Sequence, residues 1–215
     1  MNPRKSAEPA PPTPRRYRST RRLQQAAQTR QDVLLAAVRC FAANGWSGTT
    51  MAAIAADAGV AVETIYSGFG SKKQLLRQAM DVAIVGDTEP VPVAERPEFA
   101  AMGVGTVEQR IRAGMRLQGA IHERSAAVWL ALRDAAAGDA EVAAWCREME
   151  DNRRGELGRS LEMASGRRIA GDDLDVLWAF LGPEVYLKLV GERGWSRARY
   201  EEHMTVAGLK LVAAT

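Results

Sequence analysis

The sequence predicts an all-helical protein in two units, a small N-terminal one and a larger C-terminal one. Three observations lead there. No stretch sustains the apolar–polar alternation of a half-buried strand. Alanine, leucine and arginine, all strong helix formers, fill the stretches between glycines. Breakers gather once, as Gly86, Pro90, Pro92, Pro97, Gly103 and Gly105, and they divide the chain.

The chain has 215 residues, of which 47% are apolar and 26% charged, a composition that builds a packed core. No run approaches 18 uncharged apolar residues, and the N-terminus has no apolar secretory core. A cytoplasmic protein without a membrane partner is expected. Cys40 and Cys146 stand far apart, and no Cys/His spacing suits zinc. Both are expected to be buried thiols, with no metal and no cofactor. The charge is uneven. Residues 1–30 carry eight basic residues against Glu8 alone, a net +7 in a chain that totals +3, so the rest sums to −4. A basic end of this kind suits a polyanionic partner. Pro9, Pro11, Pro12 and Pro14 favour disorder in the free arm, taken as residues 1–26.

A first helix is expected from Thr29 to Ala43, with Val33, Leu34, Ala37, Val38 and Phe41 at helical spacing. Asn44-Gly45 ends it, and Thr49 or Thr50 caps a second helix reaching Ala58. Gly59 makes a sharp turn into a short third helix, Val62 to Tyr66. Ile54, Ala55, Val60 and Ile65 point inward, and the spacing is that of a helix-turn-helix over 50–69. Ser71 then opens a fourth helix reaching Val85. Two cations, Lys72 and Lys73, stand at its N-terminus, where the helix dipole disfavours them.

The joined segment "TRQDVLLAAVRCFAANGWSGTTMAAIAADAGVAVETIYSGFGSKKQLL" resembles the DNA-binding domain of tetracycline-repressor (TetR) family regulators. The match runs through Thr29-Arg30, Ala36-Ala37, Phe41, Gly45-x-x-Gly48-Thr49-Thr50, Ile54-Ala55 and Ala58-Gly59-Val60. It continues through Thr64-x-Tyr66, Phe69, Ser71-Lys72 and Leu75-Leu76. One position departs: Gly68 stands where the family has a large residue, so one phosphate contact is missing. The resemblance implies a DNA-binding domain over 27–87 and a ligand-binding and dimerisation domain over 88–215. It further implies a homodimer on double-stranded operator DNA, most simply a repressor released by a small-molecule effector.

In such a domain the third helix enters the major groove. Glu63 suits a cytosine amine, Thr64 a base edge or phosphate, and Val62 a thymine methyl. Tyr66 offers a hydroxyl to a phosphate, and Arg30, Thr49, Thr50 and Lys72 are assigned to the backbone as well. A nucleotide-binding loop over Gly68–Lys72 is excluded, because GxxxxGK[ST] is not matched.

In the second unit, helices are expected over Thr106–His122, Ser125–Ala137, Asp139–Ala164, Asp172–Glu192 and Ser196–Ala213. Asp172, Asp173 and Asp175 suit a helix start and not a metal. Three inward stripes carry polar residues: Gln118 and His122 beside Met115, Arg133 beside Trp129, and Arg153 beside Met149. Together with Trp178 these compose a candidate effector pocket. The helix from Asp172 is apolar on two faces, one through Leu174, Leu177, Trp178, Leu181 and Val185, the other through Val176, Phe180, Leu187 and Val190. With Tyr200, Met204, Ala207 and Leu211 it suits a two-fold bundle, while burial within one thick domain competes. Two other functions stand beside the effector-controlled regulator. One is a DNA-binding regulator that senses nothing; the other is an enzyme using the pocket, for which there is no nucleophile–base set or cofactor loop.

Overall fold

A computed structural model describes the backbone of residues 14–89 and 91–214, and the side chains of 21–89 and 91–212. All regular structure among these residues is helical. The order is α1 (Pro14–Gly48), α2 (Met51–Ala58), α3 (Val62–Phe69) and α4 (Lys72–Val85), then α5 (Pro97–Ala100) and α6 (Val107–Gly138). After these come α7 (Ala140–Ser165), α8 (Gly171–Phe180), α9 (Pro183–Tyr186) and α10 (Arg197–Ala214).

Three helices differ from expectation: α1 and α6, and the expected Asp172–Glu192, which is interrupted at Leu181-Gly182 between α8 and α9. The helix α1 starts at Pro14, not Thr29, so residues 14–26 of the expected disordered arm are helical; Arg4, Lys5, Pro9, Pro11 and Pro12 lie outside the described residues. At the other end α1 breaks as expected, at Gly45, whose φ of 66° lies in the left-handed region that glycine tolerates. The second difference is α6, one unbroken helix where two were expected. The polar run Glu123-Arg124-Ser125 reads as a gap, yet none of these residues breaks a helix. The Ser125 hydroxyl donates to the Ile121 carbonyl at 2.8 Å and stays within the ladder.

Caps fix the remaining boundaries. Thr50 accepts from Ala53 N at the start of α2, and Gly59, at φ 68°, closes its end. Ser71 accepts from Gln74 N to open α4, and Thr106 with Gln109 forms a reciprocal capping box for α6. Between α4 and α6 the breaker-rich segment forms short helical turns. Asp87 and Arg96 pair across it at 2.7 Å, and Met102 is buried beneath it.

The core has two parts. One fills the N-terminal head with Val33, Phe41, Ile54, Ile65, Leu75 and Leu76, and runs on without a gap into Val128, Leu132 and Val142 of α6 and α7. The other packs α6, α7, α8 and α10 through Ile111, Leu161, Leu177, Leu181 and Tyr200. Thus α6 is common to both. Cys146 is buried and Cys40 half-buried, both as free thiols. Among the described residues no helix is long and apolar enough to cross a membrane.

Candidate functional site

The head holds α3 by one face and leaves the other open. Ile65 and Phe69 are buried in it, whereas Glu63, Thr64, Tyr66 and Ser67 are exposed, Tyr66 by 53%. Val62 differs from expectation: it is half-buried and packs on the head core, so its methyls are partly spent before any thymine arrives. Position four residues on, Ile65 and Phe69 set the buried stripe, and the exposed stripe follows from helical periodicity.

Three residues assigned to phosphate are engaged by the protein itself. Thr49 is buried, and its hydroxyl lies 2.7 Å from the Gly45 carbonyl and 3.0 Å from that of Cys40. It closes the break in α1 and presents nothing to a ligand. Lys72 donates from Nζ to the carbonyls of Trp46 at 2.6 Å and Thr49 at 2.7 Å. Its ammonium stands at the wrong end of α4 but at the end of α1, where the carbonyl end of the helix dipole favours a cation. Burial pulls its pKa down, with Asp134 opposing. Arg30 donates to the Gly68 carbonyl and to Gln78, and its guanidinium lies over the Phe69 ring. It fastens the end of α3 to α1 and α4. Thr50 remains exposed beside its cap.

Lys73 turns away from the head. It pairs with Glu141 at 2.6 Å and Asp139 at 3.0 Å, the acidic start of α7, and this pairing raises its pKa, the Glu141 hydrogen bond contributing most. Head and body are joined again at α4's other end, where Arg124 of α6 donates to the Ala83 and Ile84 carbonyls.

The eight pocket candidates divide into two groups. Trp129 and Met149 belong to the core that reaches up into the head, and Arg133 is exposed beside Glu184 at 3.8 Å. Met115 is plain core. Gln118, His122, Arg153 and Trp178 converge where α8 stops short of Gly182-Pro183. That stop leaves carbonyls unpaired, and side chains take them up: Arg153 donates to Trp178 O at 3.0 Å and Gln118 to Leu181 O. Arg153 also pairs with Glu150 and lies over the Trp178 ring.

Around Arg153 three buried polar atoms lack any hydrogen bond: His122 Nδ1, Trp178 Nε1 and Tyr200 Oη. The His122 ring meets Tyr186 edge-on at 5.6 Å, and Tyr186 meets Tyr200 at 4.9 Å. Burial first, then the Arg153 charge, lowers the His122 pKa to about 3, and burial raises that of Tyr200. Sequence reasoning missed Tyr186, and it left Tyr200 open between a two-fold bundle and burial within one thick domain. Tyr200 is 1% exposed and Met204 3%, so both are core; the outward apolar residues here are Val176 and Val206. The alternating pattern identified two faces without saying which neighbour each would meet.

Among the described residues no group of three or more His, Cys, Asp or Glu is placed to hold a metal ion. A cavity of about 330 Å³ lies elsewhere, between α7 and the start of α8.

A capped helix-turn-helix whose second helix is held by one face, set on a larger helical body, defines a DNA-binding transcription regulator. Residues 33–79, which lie in the head, match the family model of bacterial regulatory proteins of the tetR family. The fold agrees over nearly the whole length. A TetR-like transcriptional regulator from Rhodococcus sp. RHA1 superposes with a TM-score of 0.61 at 18% identity, covering 87% of this chain and 97% of the other. The transcriptional regulator FadR from Bacillus subtilis, solved in complex with stearoyl-CoA, gives 0.62 at 20%, covering 84% and 96%. No curated protein matches the chain in sequence.

Proposed function

We propose that this regulator is a homodimeric repressor that reads a pseudo-palindromic operator with Glu63 and Thr64 and leaves it when an effector occupies the body. The observation that carries the DNA reading is the exposed stripe of α3, Glu63-Thr64-Tyr66-Ser67, backed by buried Ile65 and Phe69. Glu63 accepts from a cytosine amine, Thr64 takes a base edge, and Tyr66 with Thr50 meets phosphates. The dimer forms through the outward apolar faces of α8 and α10, with Val176 and Val206 at their centres. The head spans 27–87 and the body 88–215.

The effector site is the surroundings of Arg153. A ligand that brings oxygen acceptors satisfies the Trp178 N–H, a donor only, and the Tyr200 hydroxyl, both left unpaired. Leaving such groups unpaired costs free energy, which a fitting ligand recovers. FadR from Bacillus subtilis, which shares this fold, was solved in complex with stearoyl-CoA. His122 lies two residues before Arg124, which grips the end of α4, so a ligand that displaces α6 tilts the head. Operator affinity falls by population shift, with no chemistry needed.

Enrichment of operator sequences from a random duplex pool, with the native protein and with Glu63→Ala, tests the DNA reading. The native protein is expected to select a pseudo-palindrome. Glu63→Ala is expected to relax one base pair in each half-site, by about 1–3 kcal/mol. Equal weakening on every sequence would remove Glu63 from the readout.

A further inference from the structure

Every residue from 21 to 28 is exposed, Leu23 by 69%. Short exposed helices are marginal in water unless they continue a packed helix or meet a partner. This one continues α1, and its charge is one-sided. No acidic residue occurs from position 9 to 31, whereas arginine occupies 15, 16, 18, 21, 22 and 30. Positions 15 and 18, 18 and 21, and 18 and 22 fall three or four apart, so like charges neighbour one another on the helix. No local carboxylate relieves them before Asp32, which already accepts from Gln28 at 2.9 Å.

Register and anchoring give the extension a direction. Counting back from Val33, buried in the head, the same helical face passes Thr29, Ala26 and Arg22, then positions 18 and 15. The face that packs on the head therefore continues beyond it through Arg22 and register positions 18 and 15, each an arginine in the sequence. At its base Arg30 donates to the Gly68 carbonyl at 3.3 Å and lies over Phe69, the last residue of α3. The extension leaves the head where the DNA-reading helix ends. From 30 back to 15 it spans about 22 Å, roughly two-thirds of a turn of duplex.

We propose that this extension of α1 is a second nucleic-acid contact, a helical basic strut lying on the phosphates that flank the half-site. The proposal rests on the reading that α3 enters the major groove. The arginines supply charge without base recognition, so the strut adds affinity through counterion release. Its helical form matters, because the register brings positions 15, 18 and 22 to one side.

The test measures affinity of the full chain for a 30-base-pair duplex of random sequence across a salt series. Arg15→Ala/Arg18→Ala/Arg22→Ala is expected to flatten the plot of log affinity against log salt by about 0.9 for each lost phosphate contact, roughly 2.7 per chain. Ala26→Pro keeps every charge and interrupts the helix, and is expected to flatten the slope also. An unchanged slope in the triple variant, with binding otherwise intact, overturns the strut and leaves the reading of α3 standing. A flattened triple variant beside an unaltered Ala26→Pro overturns the helical strut in favour of an unstructured basic tail. Failure of the native protein to bind duplex at low salt overturns both readings, whereas duplex binding by native chain that Glu63→Ala leaves unchanged is expected, since this probe carries no operator.

Discussion

The Lys72 ammonium lies 4.0 Å from the centre of the Trp46 ring and 2.6 Å from the Trp46 carbonyl oxygen. One side chain thus joins the start of α4 to the end of α1 by a cation–ring contact and two charge-assisted hydrogen bonds. An ammonium has three protons, and two are committed here. Lys72 holds together the corner from which α2 and α3 depart.

Lys72→Met is accordingly expected to lower the stability of the protein by about 2 kcal/mol, the worth of hydrogen bonds to a charged donor. Urea unfolding measures it. Stability equal to that of the native chain, together with weakened DNA binding, would return Lys72 to a phosphate role.

Gly68 yields the opposite sign. It lies inside α3 on its exposed face, and a methyl group placed there meets nothing within 4 Å. Its carbonyl, which accepts from Arg30, is unaffected by the change. Gly68→Ala is expected to stabilise the protein by about 1 kcal/mol through helix propensity alone. A fall in melting temperature would mean that the backbone at 68 is not the relaxed helix described.

The head was legible in the sequence because its signals are local. The caps Thr50 and Ser71 and the glycines at 45 and 59 each act on the few residues around them. The destination of Lys72 was not legible. Its partners come from the end of α1, 26 and 23 residues earlier, and sequence shows only its own unfavourable helix end. The proposed effector site was half legible for a similar reason. Periodicity put Gln118, His122 and Arg153 on inward faces, as found. It could not show that the break at Gly182 would draw Gln118 and Arg153 onto bare carbonyls, nor that Tyr200 would face His122's neighbour Tyr186 in place of a partner subunit.

The dimer prediction follows from that placement. With Tyr200 and Met204 buried, Val176 at 56% and Val206 at 44% exposure are the apolar residues that α8 and α10 offer outward. Across a two-fold axis the same patch meets itself, so one added charge faces its copy. Val176→Glu is expected to weaken dimerisation by at least about tenfold, or 1.4 kcal/mol, in sedimentation at micromolar concentration. Sedimentation of the native chain as a monomer would remove the dimer, and an unaltered dimer in Val176→Glu would move its interface off α8.

His122 gives the pH dependence. Its pKa in the folded chain is about 3, because burial and the Arg153 charge both oppose a proton, while in the unfolded chain it returns to about 6.5. Between those values the unfolded state binds more protons, so acid favours unfolding. The sign is therefore fixed: the contribution is complete above about pH 6.5 and is lost progressively on acidification. The loss approaches 1.4 kcal/mol for each pH unit, or about 2 kcal/mol between pH 6.5 and 5. Asp87, Asp139 and Glu202, whose pKa values are lowered chiefly by hydrogen bonds from Arg96, Lys73 and Arg112, add to the loss only nearer pH 4. The window above 5 isolates the histidine from them. His122→Phe keeps an aromatic edge for Tyr186 and carries no proton. Its unfolding free energy, measured by urea at pH 6.5 and 5, is expected to change by much less than that of the native chain. Parallel losses in both proteins would mean that His122 takes up its proton as easily folded as unfolded, and that the unpaired Nδ1 has a partner after all.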